Sequence, residues 1–298
     1  MTQSRVSDQA RPDRAQHRRV TADHPLFPAE LHAVPSPPSG LWYAGRLPAT
    51  GERRFAVVGA RAATRGGCDC ARDLAAGLAR DGAVVVSGGA FGIDAAAHEG
   101  ALTANAATFA VLGCGTDVVY PDRHRDLFAR ITESGGLLSE YPPGTQPRPG
   151  QFPARNRLIA GLAEAVIVVE AALRSGALIT ARLARTLGRP LFAVPGSPGT
   201  DALLRSGRAI AAASAREVLG TLEGVLVPST KGHQAEDGAG RFAPLVDAIE
   251  AGLNSPDVLC RRLGMALPSL LAVVAEAELE GLVRRTAGNT YEVIGRDY

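Results

Sequence analysis

The sequence predicts an α/β fold: an extended Rossmann-like, doubly wound and mostly parallel sheet, followed by a small C-terminal winged-helix domain. From Arg54 onward, short β-branched or Ala-rich runs alternate with helical stretches, the spacing of βαβ units. Continuous apolar runs such as Val166-Ile167-Val168-Val169 imply burial on both faces, so helices must cover the sheet front and back. A composition shift at Glu223 to Gly240, where Pro, Ser, Gly and Gln accumulate without periodicity, sets a second patterned segment apart.

In chain order, residues 1–24 are polar and carry Arg5, Arg11, Arg14, Arg18 and Arg19 beside a few aspartates, which predicts a flexible tail. A Pro-rich approach from Pro25 to Leu47 leads into the Rossmann-like domain, taken as 25–222. Its strands read as Phe55 to Gly59, Val84 to Ser87, Thr108 to Leu112, Leu137 to Glu140, Val166 to Glu170 and Leu191 to Val194, with a short seventh at Ala209 to Ala212. After a linker at 223–240 comes the domain 241–298. Phe242 to Gly252 reads as a helix, and Ser255-Pro256 gives an N-cap and a first-turn proline opening a second helix to Leu263. A third helix, Pro268 to Glu280, precedes a hairpin of Leu282 to Arg285 and Thr290 to Val293, completing a winged helix-turn-helix.

Composition excludes several classes. Of 298 residues, 46% are hydrophobic and 21% charged, which is globular composition with ample core. The net charge of +2 means that any basic footprint must come from local clustering. Lys231 is the single lysine, so every other basic chain is arginine, whose fork suits bidentate phosphate contacts; a general compositional bias explains the same skew. Cys68, Cys70, Cys114 and Cys260 are scattered without ligand spacing, so neither a metal site nor a disulfide framework is expected. The N-terminus lacks a signal-peptide core, and no apolar run approaches the ~20 residues of a membrane span. A soluble, cytoplasmic protein is expected.

In an open parallel sheet, ligands bind beyond the carboxyl ends of the strands. Here those loops carry Gly59-Ala60-Arg61 through Thr64, then Gly88-Gly89-Ala90-Phe91-Gly92 before Asp94, then Phe152 with Arg155-Asn156-Arg157, then Arg174-Ser175-Gly176. Glycine turns and helix N-termini present bare N–H groups to phosphate oxygens, and arginines add charge-assisted bonds. Phe91 and Phe152 offer faces on which splayed bases stack, an arrangement suited to single strands. Phe152 is the better candidate, in a Pro-rich loop expected to be exposed; either ring also reads as core. Arg61 follows a buried strand, where a charge is costly without a ligand or acid partner. Asp94 reads as a helix cap before it reads as an acid catalyst, and His98, four residues on, as a packing partner before a catalyst.

Absences narrow the field. No lysine stands in the domain for a P-loop, the first loop departs from GxGxxG, and the second strand ends in Ser87 instead of a ribose-binding acid. There is no GxSxG elbow, and carboxylates near the loops are few: Asp94, Glu140 and Glu170. No cofactor, no catalytic residue and no metal are expected.

Together these blocks resemble the DNA-processing protein A (DprA, also called Smf) family of bacterial recombination mediators over roughly Leu26 to Leu222. Gly59-Ala60-Arg61 is similar to the family's Gly-Ser-Arg turn, and Ser87-Gly88-Gly89-Ala90-Phe91-Gly92-Ile93-Asp94 with His98 to its Ser-Gly-x-Ala-x-Gly-Ile-Asp-x-x-x-His stretch. Tyr120-Pro121, Phe152-Pro153 with Arg155-Asn156-Arg157, Ser175 to Ala181 and Val194-Pro195-Gly196 follow in the family's order. The resemblance implies single-stranded DNA binding without cleavage, dimerisation, and loading of RecA recombinase onto incoming DNA in natural transformation. The resemblance maps the family's binding residues onto Arg61, the glycine loop, Phe152, Arg155 and Arg157, while Phe91 occupies a variable position. Joined to the loop residues read above, the expected DNA-binding set is Arg61, Thr64, Gly88, Gly89, Phe91, Gly92, Phe152, Arg155, Asn156, Arg157, Ser175 and Gly176, with affinity independent of base sequence. Ala60 departs from the family serine, and Arg148-Pro149 stands where a lysine is common. The alternative reading is a nucleotide-processing enzyme of a related Rossmann fold, one that hydrolyses nucleoside monophosphates to a free base.

The C-terminal domain is similar to the winged helix of some family members. Its third helix bears Glu276, Glu278 and Glu280 and no basic residue, which favours protein contact over duplex reading. Arg261, Arg262, Arg284 and Arg285 keep the DNA alternative open.

Overall fold

The computed structural model describes residues 17–226 and, within 242–294, residues 242, 245–246, 248–249, 253–263, 265, 270–271, 273–274, 277–278, 282–286 and 290–294. The chain divides into two compact units, 1–228 and 229–298.

The first unit is built on a nine-stranded sheet. Its strands are β1 (Arg18–Thr21), β2 (Gly40–Gly45), β3 (Arg54–Val58), β4 (Val84–Ser87), β5 (Thr108–Leu112), β6 (Gly136–Ser139), β7 (Ala165–Val168), β8 (Leu191–Ala193) and β9 (Ile210–Ala211). Between and after them run α1 (Arg65–Arg80), α2 (Ile93–Thr103), α3 (Arg125–Ser134), α4 (Gln151–Leu162), α5 (Gly176–Thr186), α6 (Pro198–Arg205) and α7 (Ala215–Leu226). The spatial order is β1-β2-β6-β5-β4-β3-β7-β8-β9. All neighbours from β6 to β9 are parallel, whereas β1–β2 and β2–β6 are antiparallel.

The two-residue period of each strand sorts its side chains onto two cores. Ala56, Val58, Val86, Val111 and Val168 face α4 and α5, while Phe55, Val57, Val85, Ile167 and Phe192 face α1, α2 and α7. A third cluster packs α3 against Ala110, Leu112 and Leu137. Helices therefore cover both faces, as the uninterrupted apolar strands require. At the amino end of β3, buried Arg54 donates to the Leu162 carbonyl at 2.9 Å and pairs with Glu30, tying a 3-10 turn at Ala29–Ala33 to the sheet.

Winding starts at β3 and proceeds outward twice. Strands β4, β5 and β6 are laid down on one side, then β7, β8 and β9 on the other. The topological switch point falls between β3 and β7, and a crevice opens beyond their carboxyl ends.

Three features depart from the sequence reading. Arg18–Thr21, placed in the flexible tail, forms β1, and the Pro-rich approach contains β2, whose Leu41-Trp42-Tyr43 run between two glycines carried a strand signal. Helix α7 continues through Leu226, past the expected start of the linker at 223.

In the second unit, α8 (Pro256–Leu263) and the antiparallel pair β10 (Val283–Thr286) and β11 (Thr290–Val293) surround a core that includes Phe242, Leu259, Leu270, Val283 and Tyr291. The described residues of 242–249 and 270–278 are helical, and the Ala287 to Asn289 turn lies outside the described residues. Three helical stretches and a hairpin make the expected winged helix. Arg284 pairs with Glu292 across the hairpin, and Arg262 is exposed. The side chains of Arg261, Arg285, Glu276 and Glu280 lie outside the described set.

Candidate nucleic-acid interface

A cleft of about 440 Å³ sits at the switch point, lined from β3 and its loop by Val58 to Arg61, from α2 by Asp94, and from α4 by Phe152, Arg155 and Asn156. Ser175, Gly176 and Thr180 from the start of α5 close its other wall. Arg61, Arg155 and Phe152, the three residues expected to form a polynucleotide site, therefore line one cavity.

Arg61 is exposed, with its guanidinium carbon 4.9 Å from the Phe152 ring centroid. The desolvation cost expected for Arg61 does not arise, because the side chain lies over the ring in solvent and makes no ion pair among the described residues. Phe152 stands in the first turn of α4, not in a loop, and is half-buried. Helical geometry fixes its direction, and three residues on the same face brings Arg155 into the cleft. Gly113 makes room for the ring, since a Cβ there would sit 3.0 Å from Phe152 Cδ1.

The costly arginine is Arg155, which is buried. Its Nη1 donates to the Gly88 carbonyl at 2.8 Å and to the Val111 carbonyl, and its Nε donates to Asn156 Oδ1 at 3.3 Å. Burial pulls the guanidinium down to about 10, opposed by the Asp94 carboxylate, so it stays charged at neutral pH. Burial pushes the Asp94 carboxyl up, opposed by Arg155 and by the Ala90 amide, which donates to it at 3.4 Å. Gly88 passes between the two: a Cβ there would lie 2.6 Å from both Arg155 Nη2 and Asp94 Oδ2. Only glycine lets the loop, the cation and the carboxylate close together. The cap of α2 is Gly92, at φ 74°, so Asp94 buttresses the turn instead of capping the helix.

Helix starts reinforce the positive character of the crevice. The first turns of α2, α4 and α5 border it, and none has a side-chain cap. Away from it, α1 is capped by Thr64 and α6 by a Ser197/Thr200 box, although α3 is also uncapped. Uncapped first turns leave N–H donors and the positive dipole end for an outside acceptor. The Ser175 hydroxyl, at the start of α5, is buried without a hydrogen-bond partner.

The remaining residues expected at the site divide. Gly88, Gly89 and Phe91 line a small adjoining cavity of about 30 Å³ that shares Arg61, Phe152 and Arg155 with the cleft. Phe91 is exposed, its ring edge-on to His124 at 4.8 Å. Gly92 packs under the Ala60–Arg61 backbone and lines neither cavity. Thr64 is committed elsewhere, its hydroxyl donating to Glu170 at 2.7 Å and accepting from the Gly67 amide. Arg157 points away from the cleft, donating to the Pro35 and Ser36 carbonyls and pairing with Glu140. Arg157 stands two residues after Arg155, a little over half a turn round the same helix, and so shows the opposite face, which a linear motif cannot reveal.

Tyr120 lines the same cleft, a placement that the sequence motifs alone do not reveal. It is exposed, lines both cavities, and its ring centroid lies 5.6 Å from that of Phe152. Its position after β5, on the carboxyl side of the sheet, was the available signal. His98 is structural: the Thr108 hydroxyl donates to the Val85 carbonyl, so it accepts from His98 Nδ1, leaving Nε2 a buried lone pair without a donor. Burial, with His124 and Arg155 adding to it, holds this imidazole down to about 3.

Comparison with known proteins follows the same division into units. A family model described as DNA recombination-mediator protein A matches residues 18–223, and one described as DprA winged helix domain matches 230–289. Protein Smf of Escherichia coli is 37% identical over 91% of this chain and 76% of its own length, and Protein Smf of Synechocystis is 34% identical over 92% and 79%. The crystal structure of DNA processing protein A from Streptococcus pneumoniae is 40% identical, with a TM-score of 0.66 over 69% of this chain and 74% of that one. The solved structure of DNA processing protein A from Helicobacter pylori, described for its single-stranded DNA binding mode, is 33% identical with a TM-score of 0.62 over 70% of this chain and 96% of that one. On these matches, the chain belongs to the DNA recombination-mediator protein A (DprA/Smf) family.

Proposed function

We propose that the cleft seats single-stranded DNA, with phosphates on Arg61 and on the amides of the Gly88–Gly92 loop and the α5 start, and a base against Phe152. The observation that carries this reading is Arg61 stacked over Phe152 at the mouth of a cleft bordered by three uncapped helix starts. A ring face accepts any base and backbone amides accept any phosphate, so affinity is independent of sequence and falls with salt. The single-stranded DNA binding mode described for the Helicobacter pylori protein supports the same assignment.

In this reading the protein holds DNA without cutting it. Each carboxylate near the loops already has a structural partner: Asp94 faces Arg155, Glu140 pairs with Arg157, and Glu170 accepts from Thr64. None is free to act as a paired acid and base. The wider role we assign is to load RecA recombinase onto incoming DNA during natural transformation, as a homodimer in the cytoplasm, with the winged helix contacting protein. The exposed edge strand β9 is consistent with pairing between copies.

Fluorescence anisotropy with single-stranded and duplex oligonucleotides of equal length tests the assignment. Tighter binding of the single strand, with no free base released from nucleoside monophosphates, is the expected result. Release of free base would establish the nucleotide-processing alternative instead.

A further inference from the structure

A second groove, of about 500 Å³, runs between α5 and α6 and joins the cleft, since Ser175 and Gly176 line both. Its lining carries Arg174, Arg182, Arg185 and Arg208 and no carboxylate. All four arginines are exposed, and none is in an ion pair among the described residues. Elsewhere on this unit arginines are commonly neutralised, as in Arg46–Glu52, Arg53–Glu164, Arg72–Asp69 and Arg130–Glu99. Four like charges around one concavity repel each other, and an anionic occupant relieves that repulsion.

Helix electrostatics do not account for the cluster. Arg185 in the last turn of α5 is favoured by the dipole, but Arg174 stands just before the first turn, at the end that disfavours a cation. An anion at that point offsets the penalty. Between the arginines the groove exposes aliphatic surface, including Leu173, Leu178 and Leu203, against which sugar and base faces can lie. Arg185 stands ten positions after Ser175 along α5, about 15 Å of continuous track.

Building on the cleft reading, we propose that this groove is the track along which the bound strand leaves the cleft, its phosphates following Arg174, Arg182, Arg185 and Arg208. A polyanion with regularly spaced charges and apolar faces fits a groove continuous with a nucleotide-sized cleft better than an acidic protein segment does.

The test compares the full chain with Arg182→Ala/Arg185→Ala, both exposed helix positions where alanine keeps the fold, and with Arg80→Ala as an exposed arginine outside the groove. Each binds a dithymidylate, short enough to stay within the nucleotide-sized cleft, and an oligothymidylate many times longer. The expected result is unchanged short-oligomer affinity and weaker long-oligomer affinity. For the double variant the slope of log affinity against log salt should fall by about 1.4 on the long strand, at roughly 0.7 per lost contact. An unchanged slope, or equal losses on both oligomers, would overturn the proposal. So would unchanged DNA affinity with an altered oligomeric state by light scattering, which would make the groove a protein contact. Because the groove is scored on the long-minus-short difference, normal short-oligomer binding by Arg61→Ala would count against the cleft reading alone.

Discussion

At the scale of single residues, the site depends on one glycine and one buried charge. Gly88 separates Arg155 from Asp94 with no space for a methyl group. Gly88→Ala is therefore expected to lower stability by about 1–3 kcal/mol, as overpacking does, and to weaken oligonucleotide binding by displacing the loop; chemical denaturation and anisotropy read the two effects. His98 gives a pH signature. Its folded value of about 3 lies below the reference 6.5. Between those values the unfolded chain binds the proton that the folded chain refuses, so stability falls as pH drops through that window and is unaffected above it. His98→Asn keeps a donor for Thr108 and removes the titration, so its stability should vary less with pH from about 6.5 toward 3. An identical pH profile in both proteins would contradict the burial account. The sequence made Arg61, Phe152 and Arg155 legible because each stands at a strand end or a helix start. Arg157 and Thr64 are instead held by Glu140 and Glu170, which stand just past the ends of β6 and β7, pairings that the sheet order creates and that leave no trace in a local motif.

At the scale of elements, β3 to β8 were readable because doubly buried strands are short, apolar and bounded by glycine. Strands β1 and β2 were missed for the opposite reason. Arg18 and Arg19 look like tail, yet they lie over Tyr43 at 4.7 Å and Trp42 at 6.0 Å, their stems covering an edge that polar composition disguised. A chain beginning after Thr21 should lose that cover and the buried Val20. Burying a valine is worth about 1.5–3 kcal/mol, and 1 kcal/mol corresponds to about 2–4 °C in a unit of this size. A red-shifted emission from Trp42, the single tryptophan, and a Tm lower by several degrees are expected. Unaltered emission would mean that β1 does not cover β2. The start of α4 reads as loop around Phe152 in the sequence because Pro147, Pro149 and Pro153 mask the turn. A proline in the first turn loses no hydrogen bond, and Pro153 sits there.

For the whole molecule, the order of winding decides where chemistry can occur. Reversal between β3 and β7 opens the crevice, and the first turns of α2, α4 and α5, none with a side-chain cap, border it. The topology was legible as alternating strands and helices. The pairing of Arg61 with Phe152, 91 positions apart, was not, because it follows from which strands become neighbours. That pairing is the central claim, and a double-mutant cycle on single-stranded oligonucleotide affinity, with Arg61→Ala, Phe152→Ala and the pair together, tests it most directly. Loss of a base stack is expected to cost about 1–3 kcal/mol. Each single variant should bind more weakly, and the double variant should lose less than the sum, because the two side chains grip one nucleotide together. Wild-type affinity in both single variants would contradict the account.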